Sequence, residues 1–412
     1  MTELPTRDGY GKGLLKLGAK NKNIVVLTAD LAESTRAHWF QEKYPERFFD
    51  VGVAEQNMIT IAAGMAAMGK IPYASSYATF SPGRNWEQIR TTICYNNVPV
   101  KIAGCHAGVS VGPDGATHQA TEDIAMMRAL PNMTVIVPCD AIEAEKATIA
   151  AEKTGPTYLR FGREKTPLIT NNKTPFTIGK SLTMKEGNDV AIIACGIVVC
   201  EAIKAAEALQ KSNINAMVIN SPSIKPLDKK TILKAAKNAG AIVTVEEHQI
   251  IGGLGSAVAE FLSENYTVPI IRVGINDRFG ESGKPEELMA KYGLNAIHIE
   301  KAAAKAIMTK ARTQELSTEY RNILSQVQPE HAFHFKTGQV ARSIPEMAET
   351  LEKIPQEEFS HHVNEHKNDI CQWVKDIYDD EILTHLLTVH TTKEEMTEIL
   401  KMRVAFLQRK VW

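Results

Sequence analysis

Phe48–Gly64 reads FFDVGVAEQNMITIAAG: a short apolar run, a glycine turn and an apolar, small-residue helix, with Glu55 at the junction. A carboxyl buried there without a cation beside it is pushed toward its protonated form. It could then share a proton with a heterocyclic nitrogen, which is acid/base hardware. The residues alone allow a plainer role, a glutamate at a helix N-terminus that complements the macrodipole.

Outward from this stretch the chain repeats one plan up to about residue 310. Ile24–Thr28, Val100–Ala103, Val135–Pro138 and Tyr158–Phe161 read as buried strands, with helices at Met58–Met68 and Ile142–Glu152. Such alternation predicts α/β architecture, parallel sheets covered by helices on both faces. A polar connector, Thr170–Thr177 (TNNKTPFT), precedes a second set of strands at Val190–Ala194, Asn215–Asn220, Ala241–Val245 and Pro269–Val273.

Past Ala311 the character changes. Residues 312–412 carry 12 basic and 17 acidic side chains and seven of the twelve histidines, and apolar residues recur at helical spacing at Ile370, Trp373, Val374, Ile377 and at Ile382, Leu383, Leu386, Leu387. The expected organisation is an α/β domain over 1–170, a second over 176–311, a linker over 312–330 and a small helical domain over 331–412, with Ala332–Lys336 as its one strand. His361, His362 and His366 (HHVNEH) put two histidines at i, i+4 spacing, which reads better as a solvated helix face than as a metal site.

With 47 basic against 48 acidic residues, overall charge points to neither nucleic acid nor membrane. No apolar run reaches membrane-spanning length. The N-terminal MTELPTRDGYGKG has no secretory apolar core. Six cysteines without a CxxC pair predict reduced, buried thiols in a cytoplasmic protein, with neither a disulfide framework nor a zinc site.

Three further stretches carry chemistry. Tyr77 and Phe80, in YATF, close another apolar run 22 residues after Glu55; as residues alone they would more often be core. Gly104–Gln119, GCHAGVSVGPDGATHQ, is a loop rich in glycine that holds His106, Asp114 and His118. Val243–Ser256, VTVEEHQIIGGLGS, is a glycine-rich turn after a strand, but its spacing matches neither a dinucleotide fingerprint nor a phosphate loop. Close packing of a helix start is the better reading there.

Taken together, these motifs resemble the transketolase family of thiamine diphosphate enzymes, over residues 1 to about 310. The resemblance implies that Glu55 hydrogen-bonds the cofactor's aminopyrimidine ring and favours the tautomer that deprotonates the thiazolium carbon. It implies that Tyr77 and Phe80 pack on that ring, Gly83 standing where the family has a third aromatic. The 104–119 loop resembles the family's donor-sugar loop: His106 would contact substrate phosphate, Asp114 a sugar hydroxyl and His118 the reacting oxygen. Arg7, Ser34 and Arg163 fall at sugar-phosphate positions, and Asp30 at a position near cofactor and subunit contact.

The family's magnesium-binding GDG motif, with its downstream asparagine, is missing, since Gly112-Pro113-Asp114-Gly115 belongs to the sugar loop. The resemblance therefore implies only the pyrimidine-binding and C-terminal domains, no metal ligand on this chain, and a separate subunit carrying the diphosphate-binding domain and Mg2+, in an α2β2 assembly. The expected function is one half of a split transketolase, moving a two-carbon ketol unit between sugar phosphates. A 1-deoxyxylulose-5-phosphate synthase would have an Asp-Arg pair at Cys105-His106. A 2-oxoacid dehydrogenase β subunit would lack the sugar-phosphate set, and a non-catalytic scaffold presenting the acidic tail would not require Glu55.

Overall fold

The computed structural model describes residues 2–411, which divide into two compact units, Met1–Lys310 and Ala311–Trp412. No helix among the described residues is long and apolar enough to cross a membrane.

The first unit holds two large sheets and a two-stranded one that pairs Glu3–Pro5 with Lys165–Pro167. The largest has seven strands in the order Ser223–Lys225, Thr134–Ile136, Thr157–Arg160, Lys101–Cys105, Ile71–Tyr77, Ile24–Thr28, Phe48–Asp50. All pair in parallel except Ser223–Lys225, which runs antiparallel to Thr134–Ile136. Ile24–Thr28 and Lys101–Cys105 are buried along their whole length and Ile71–Tyr77 between them at all but its two ends, as expected of a sheet with helices on both faces. The second sheet runs Ile270–Ile275, Ile242–Gln249, Val190–Ala194, Ala216–Asn220, Leu182–Lys185, with only the last strand antiparallel.

Two edge strands have no clear sequence signal. Leu182–Lys185 is only partly buried. Ser223–Lys225 lies between Pro222 and Pro226, residues that end ladders and suit edges. The latter links the two halves of the unit, because a strand from the second half extends the first sheet. The strand expected at Ala241–Val245 continues to Gln249, carrying Glu246, Glu247 and His248 into the interior. A carboxylate pair reads as a strand end in sequence; here each acid has buried partners.

The second unit packs five helices, Ile344–Lys353, Gln356–His362, Asp369–Tyr378, Glu381–Val389 and Lys393–Lys410, around Phe333, Leu351, Trp373, Leu383 and Leu400. Ser343, Asn368, Asp380 and Thr392 cap four of them through side-chain oxygens. Two expectations change, for the single strand and for the histidine face, and a third gains detail. Much of the 312–330 stretch takes helical form, because one helix runs unbroken from Ala296 to Leu324. Ala332–Lys336 is not the one strand: Phe333–His334 pairs with Val340–Ala341, and Val363–Asn364 with Lys367–Asn368. The three histidines do not share a helix face, since the helix ends at His362 and His366 lies in the following turn. His362 is buried against Phe333 and Phe335 and hydrogen-bonds Asp369 at 3.1 Å.

Candidate active site

The candidate residues collect where parallel strands end. Asp30 and Ser34 follow Ile24–Thr28, Glu55 follows Phe48–Asp50, Tyr77 ends Ile71–Tyr77, the 104–119 loop leaves Lys101–Cys105, and Arg163 follows Thr157–Arg160. The carboxyl edge of a parallel sheet is where such folds bind ligands, because the chain must leave the sheet there and its loops diverge. Arg7 reaches this edge from the first turn of the Thr6–Lys20 helix.

Glu55 opens the Glu55–Ala67 helix and is 1% exposed. The expectation of a carboxylate buried without a cation is corrected: Arg84 donates from Nη1 to Oε2 at 2.6 Å. The Asn85 side-chain amide also donates to the Glu55 carbonyl at 3.0 Å, fixing the backbone at the start of the helix. Arg84 in turn lies 4.9 Å from the Phe80 ring centroid. Its place four residues after Phe80, in FSPGR, is the signal that could have revealed it.

Tyr77 and Phe80 lie near-parallel, 12° apart with centroids at 5.9 Å. His106 stacks on the other partner of that pair, Tyr77, at 3.9 Å, and His118 meets Phe80 edge-on at 5.4 Å. Gly83 leaves this wall open for a local reason: a Cβ there would fall 2.0 Å from the Thr79 carbonyl oxygen.

His106 is buried with a left-handed φ of 56°, a conformation that L-residues adopt at a cost. Arg7 Nη1 lies 3.3 Å from its Nε2 and 2.8 Å from the Ser34 carbonyl oxygen. A guanidinium only donates, so Nε2 accepts and the proton resides on Nδ1, which is buried without a partner. Burial first, then Arg7, Arg163 and Arg36, push the His106 pKa down to about 3. The imidazole is therefore neutral at physiological pH. Burial and Arg36 likewise lower the Arg7 pKa from its ordinary value. Arg36, paired with Asp8 at 2.7 Å, was missed in the sequence because nothing in STRAH marks it as facing inward.

Arg163 donates to the Val111 carbonyl at 2.7 Å and to Asp114 at 3.3 Å, tying the loop's far end to the sheet edge. Asp114 is exposed and His118 half-buried, with its Nδ1 2.9 Å from the Thr117 hydroxyl. Asp30 stands apart from the rings: it is exposed at φ 59°, and its N–H donates to the Asp50 carboxylate at 2.9 Å. The arrangement can thus hold a flat ring beside a buried carboxylate and an anion beside arginines.

Comparison with known proteins matches residues 2–168 to the transketolase pyrimidine-binding domain and residues 179–299 to the transketolase C-terminal domain. The chain belongs to the transketolase family. It is 48% identical over 313 residues to a Methanocaldococcus jannaschii protein assigned as a transketolase C-terminal section, covering 75% of this chain and 96% of that one. A 6-deoxy-6-sulfo-D-fructose transketolase subunit from a Clostridium species is 43% identical, covering 72% and 92%. Among solved structures, a split gene transketolase described as an inactive beta4 tetramer superposes with a TM-score of 0.71 at 47% identity, covering 74% of this chain and 99% of that one. The two family domains end before the second unit begins.

For a transketolase the residues present fit the pyrimidine end of thiamine diphosphate: a buried carboxylate at Glu55 and a flat wall at Tyr77 and Phe80. Among the described residues, no group of three or more His, Cys, Asp or Glu side chains could hold a metal ion.

Proposed function

We propose that this chain is one subunit of a split, thiamine diphosphate-dependent transketolase that transfers a two-carbon ketol unit between sugar phosphates. The observation that carries this reading is the joining of the buried Glu55 to the Tyr77–Phe80 wall through Arg84. When bound, thiamine diphosphate supplies the carbon nucleophile that carries the ketol unit.

Glu55 would hold a proton between its carboxylate and a pyrimidine nitrogen, with Asn85 and Arg84 fixing its place. Tyr77 and Phe80 would orient the ring and exclude water, adding about 1 kcal/mol each beyond area burial. Neutral His106, with a free Nδ1–H, and His118 would hydrogen-bond substrate oxygens, and Asp114 a sugar hydroxyl. Arg7 and Arg163, with Ser34 beside them, would take the anionic end; a guanidinium grips such a group with two parallel N–H bonds. Asp30 is assigned to the rim, near cofactor and partner.

The partner would be a subunit with the diphosphate-binding domain and the Mg2+ ligands, in an α2β2 assembly. Support comes from the absent GDG motif and from the relative's description as an inactive tetramer of one chain type. Calorimetry of thiamine diphosphate and Mg2+ with this chain alone, then with such a subunit, tests the reading. Binding and ketol transfer only in the mixture are expected; tight binding by this chain alone would overturn the division of labour.

A further inference from the structure

The substrate loop is not held by its own domain alone: Arg163 and the Phe161 carbonyl grip it from the first domain. Between Gly104 and Gln119 the backbone takes left-handed φ at His106, Gly108, Gly112 and Gly115. The three glycines adopt it freely, but His106 does so at a cost, and flexible glycines keep one path only where their surroundings fix it. Two of the groups that fix it come from the second half of the unit. Glu247, buried on the Ile242–Gln249 strand, accepts the Ser110 N–H at its Oε1 at 2.6 Å. The Gln119 amide donates to the Glu281 carbonyl at 2.9 Å while also donating to Val109 and Gly112 of the loop, each at 3.2 Å.

The fit around Glu247 is close on every side. A Cβ on Gly108 would fall 2.2 Å from the Glu247 carboxyl carbon, so glycine is required there by space as well as by its φ of +89°. Arg160 reaches across from the first sheet to donate to the Glu247 carbonyl at 2.8 Å, and it forms a buried ion pair with Asp123. Burial raises the Glu247 carboxyl pKa, against the opposing pull of Arg160 and the Ser110 amide.

We infer that Glu247 is a positioning residue for the substrate loop, through which the C-terminal domain fixes the segment between His106 and Asp114. An apolar residue at 247 would leave the buried Ser110 N–H without an acceptor, and the loop would have to move to satisfy it. The C-terminal domain thereby gains a role beyond packing: it holds the geometry of the sugar-binding side chains while leaving Glu55 untouched. The inference rests on the transketolase reading for its kinetic consequence, though not for the loop anchor itself.

E247A and E247Q test it in two assays. In the full chain alone, hydrogen exchange of the 107–112 amides should quicken by about tenfold or more in E247A, with Ile24–Thr28 and Val190–Ala194 unchanged. Mixed with the partner subunit, E247A should raise the KM for sugar phosphate about tenfold with thiamine diphosphate affinity unaltered. E247Q retains an acceptor oxygen and should match the wild type in both. Unchanged loop exchange in E247A, acceleration spread evenly over the chain, or an E247Q as impaired as E247A would each overturn the inference. Expected exchange behaviour together with no ketol transfer by the wild-type mixture would leave the anchor standing and remove the transketolase reading.

Discussion

The loop at 104–119 and the turn at 250–256 share a plan: a buried strand, a run of glycines, then a helix. In the turn, Glu246 on the preceding strand accepts the N–H groups of Leu254 and Gly255 at 2.7 and 2.8 Å, so the helix start is satisfied from within. Gly253 is glycine because a Cβ would fall 1.9 Å from the Glu246 Oε2. In the loop, the neighbouring Glu247 satisfies one N–H from outside, and His118, Asp114 and the Nδ1 of His106 have free capacity. Two adjacent glutamates thus serve opposite ends, one closing a turn and the other bracing an open one. A glycine-rich segment is a binding site only where its donors are not already used.

The largest expected effect lies on the open side. Glu55→Ala should lower ketol transfer by the reconstituted enzyme at least 10²–10⁴-fold, the usual range for losing an acid/base group, with the circular dichroism melt unchanged. Near-normal turnover would remove Glu55 from the chemistry. Glu246→Ala should do the reverse, costing about 2–3 kcal/mol in denaturant unfolding with KM unaffected, because it strands two buried helix N–H groups. A changed KM would erase the distinction between the two segments.

His106 provides a pH test. Its folded pKa, about 3, lies below the unfolded value, so the folded state binds fewer protons. Its contribution to stability is present above about pH 6.5 and falls as pH drops toward 3, by up to about 1.4 kcal/mol per pH unit. His106→Asn should flatten that part of the curve, and the His106 imidazole resonances of the wild type should not titrate between pH 5 and 8. The smallest effect is expected at Arg84: its own side chain is 48% exposed but Glu55 is buried, so Arg84→Gln, which keeps a neutral donor while removing the cation, should cost about 1–2 kcal/mol. No measurable loss would mean that the Glu55 carboxylate does not depend on the ion pair.

Strand and helix placement in the first unit was legible because buried parallel strands are continuous apolar runs, as at Ile24–Thr28 and Val190–Ala194. Ser223–Lys225 was not legible, because an edge strand flanked by prolines has neither run nor alternation. Site residues set in rare patterns, such as His106 and Asp114 among glycines, stand out from one sequence. Arg84 and Arg36 do not, since a lone arginine looks the same whether it meets a carboxylate or water.

By itself the sequence determined the α/β alternation, the family resemblance and the separate character of residues 312–412. Those follow from local periodicity and from short motifs whose residues are neighbours in the chain. Only the tertiary structure decided that Glu55 has a cation beside it, that His106 is neutral, and that Glu246 and Glu247 act in different directions. Each of these depends on partners at long sequence separation, Arg84 for Glu55, Arg7 for His106 and Ser110 for Glu247. Charge state and hydrogen-bond supply are properties of a residue's surroundings, which exist only once the chain has folded.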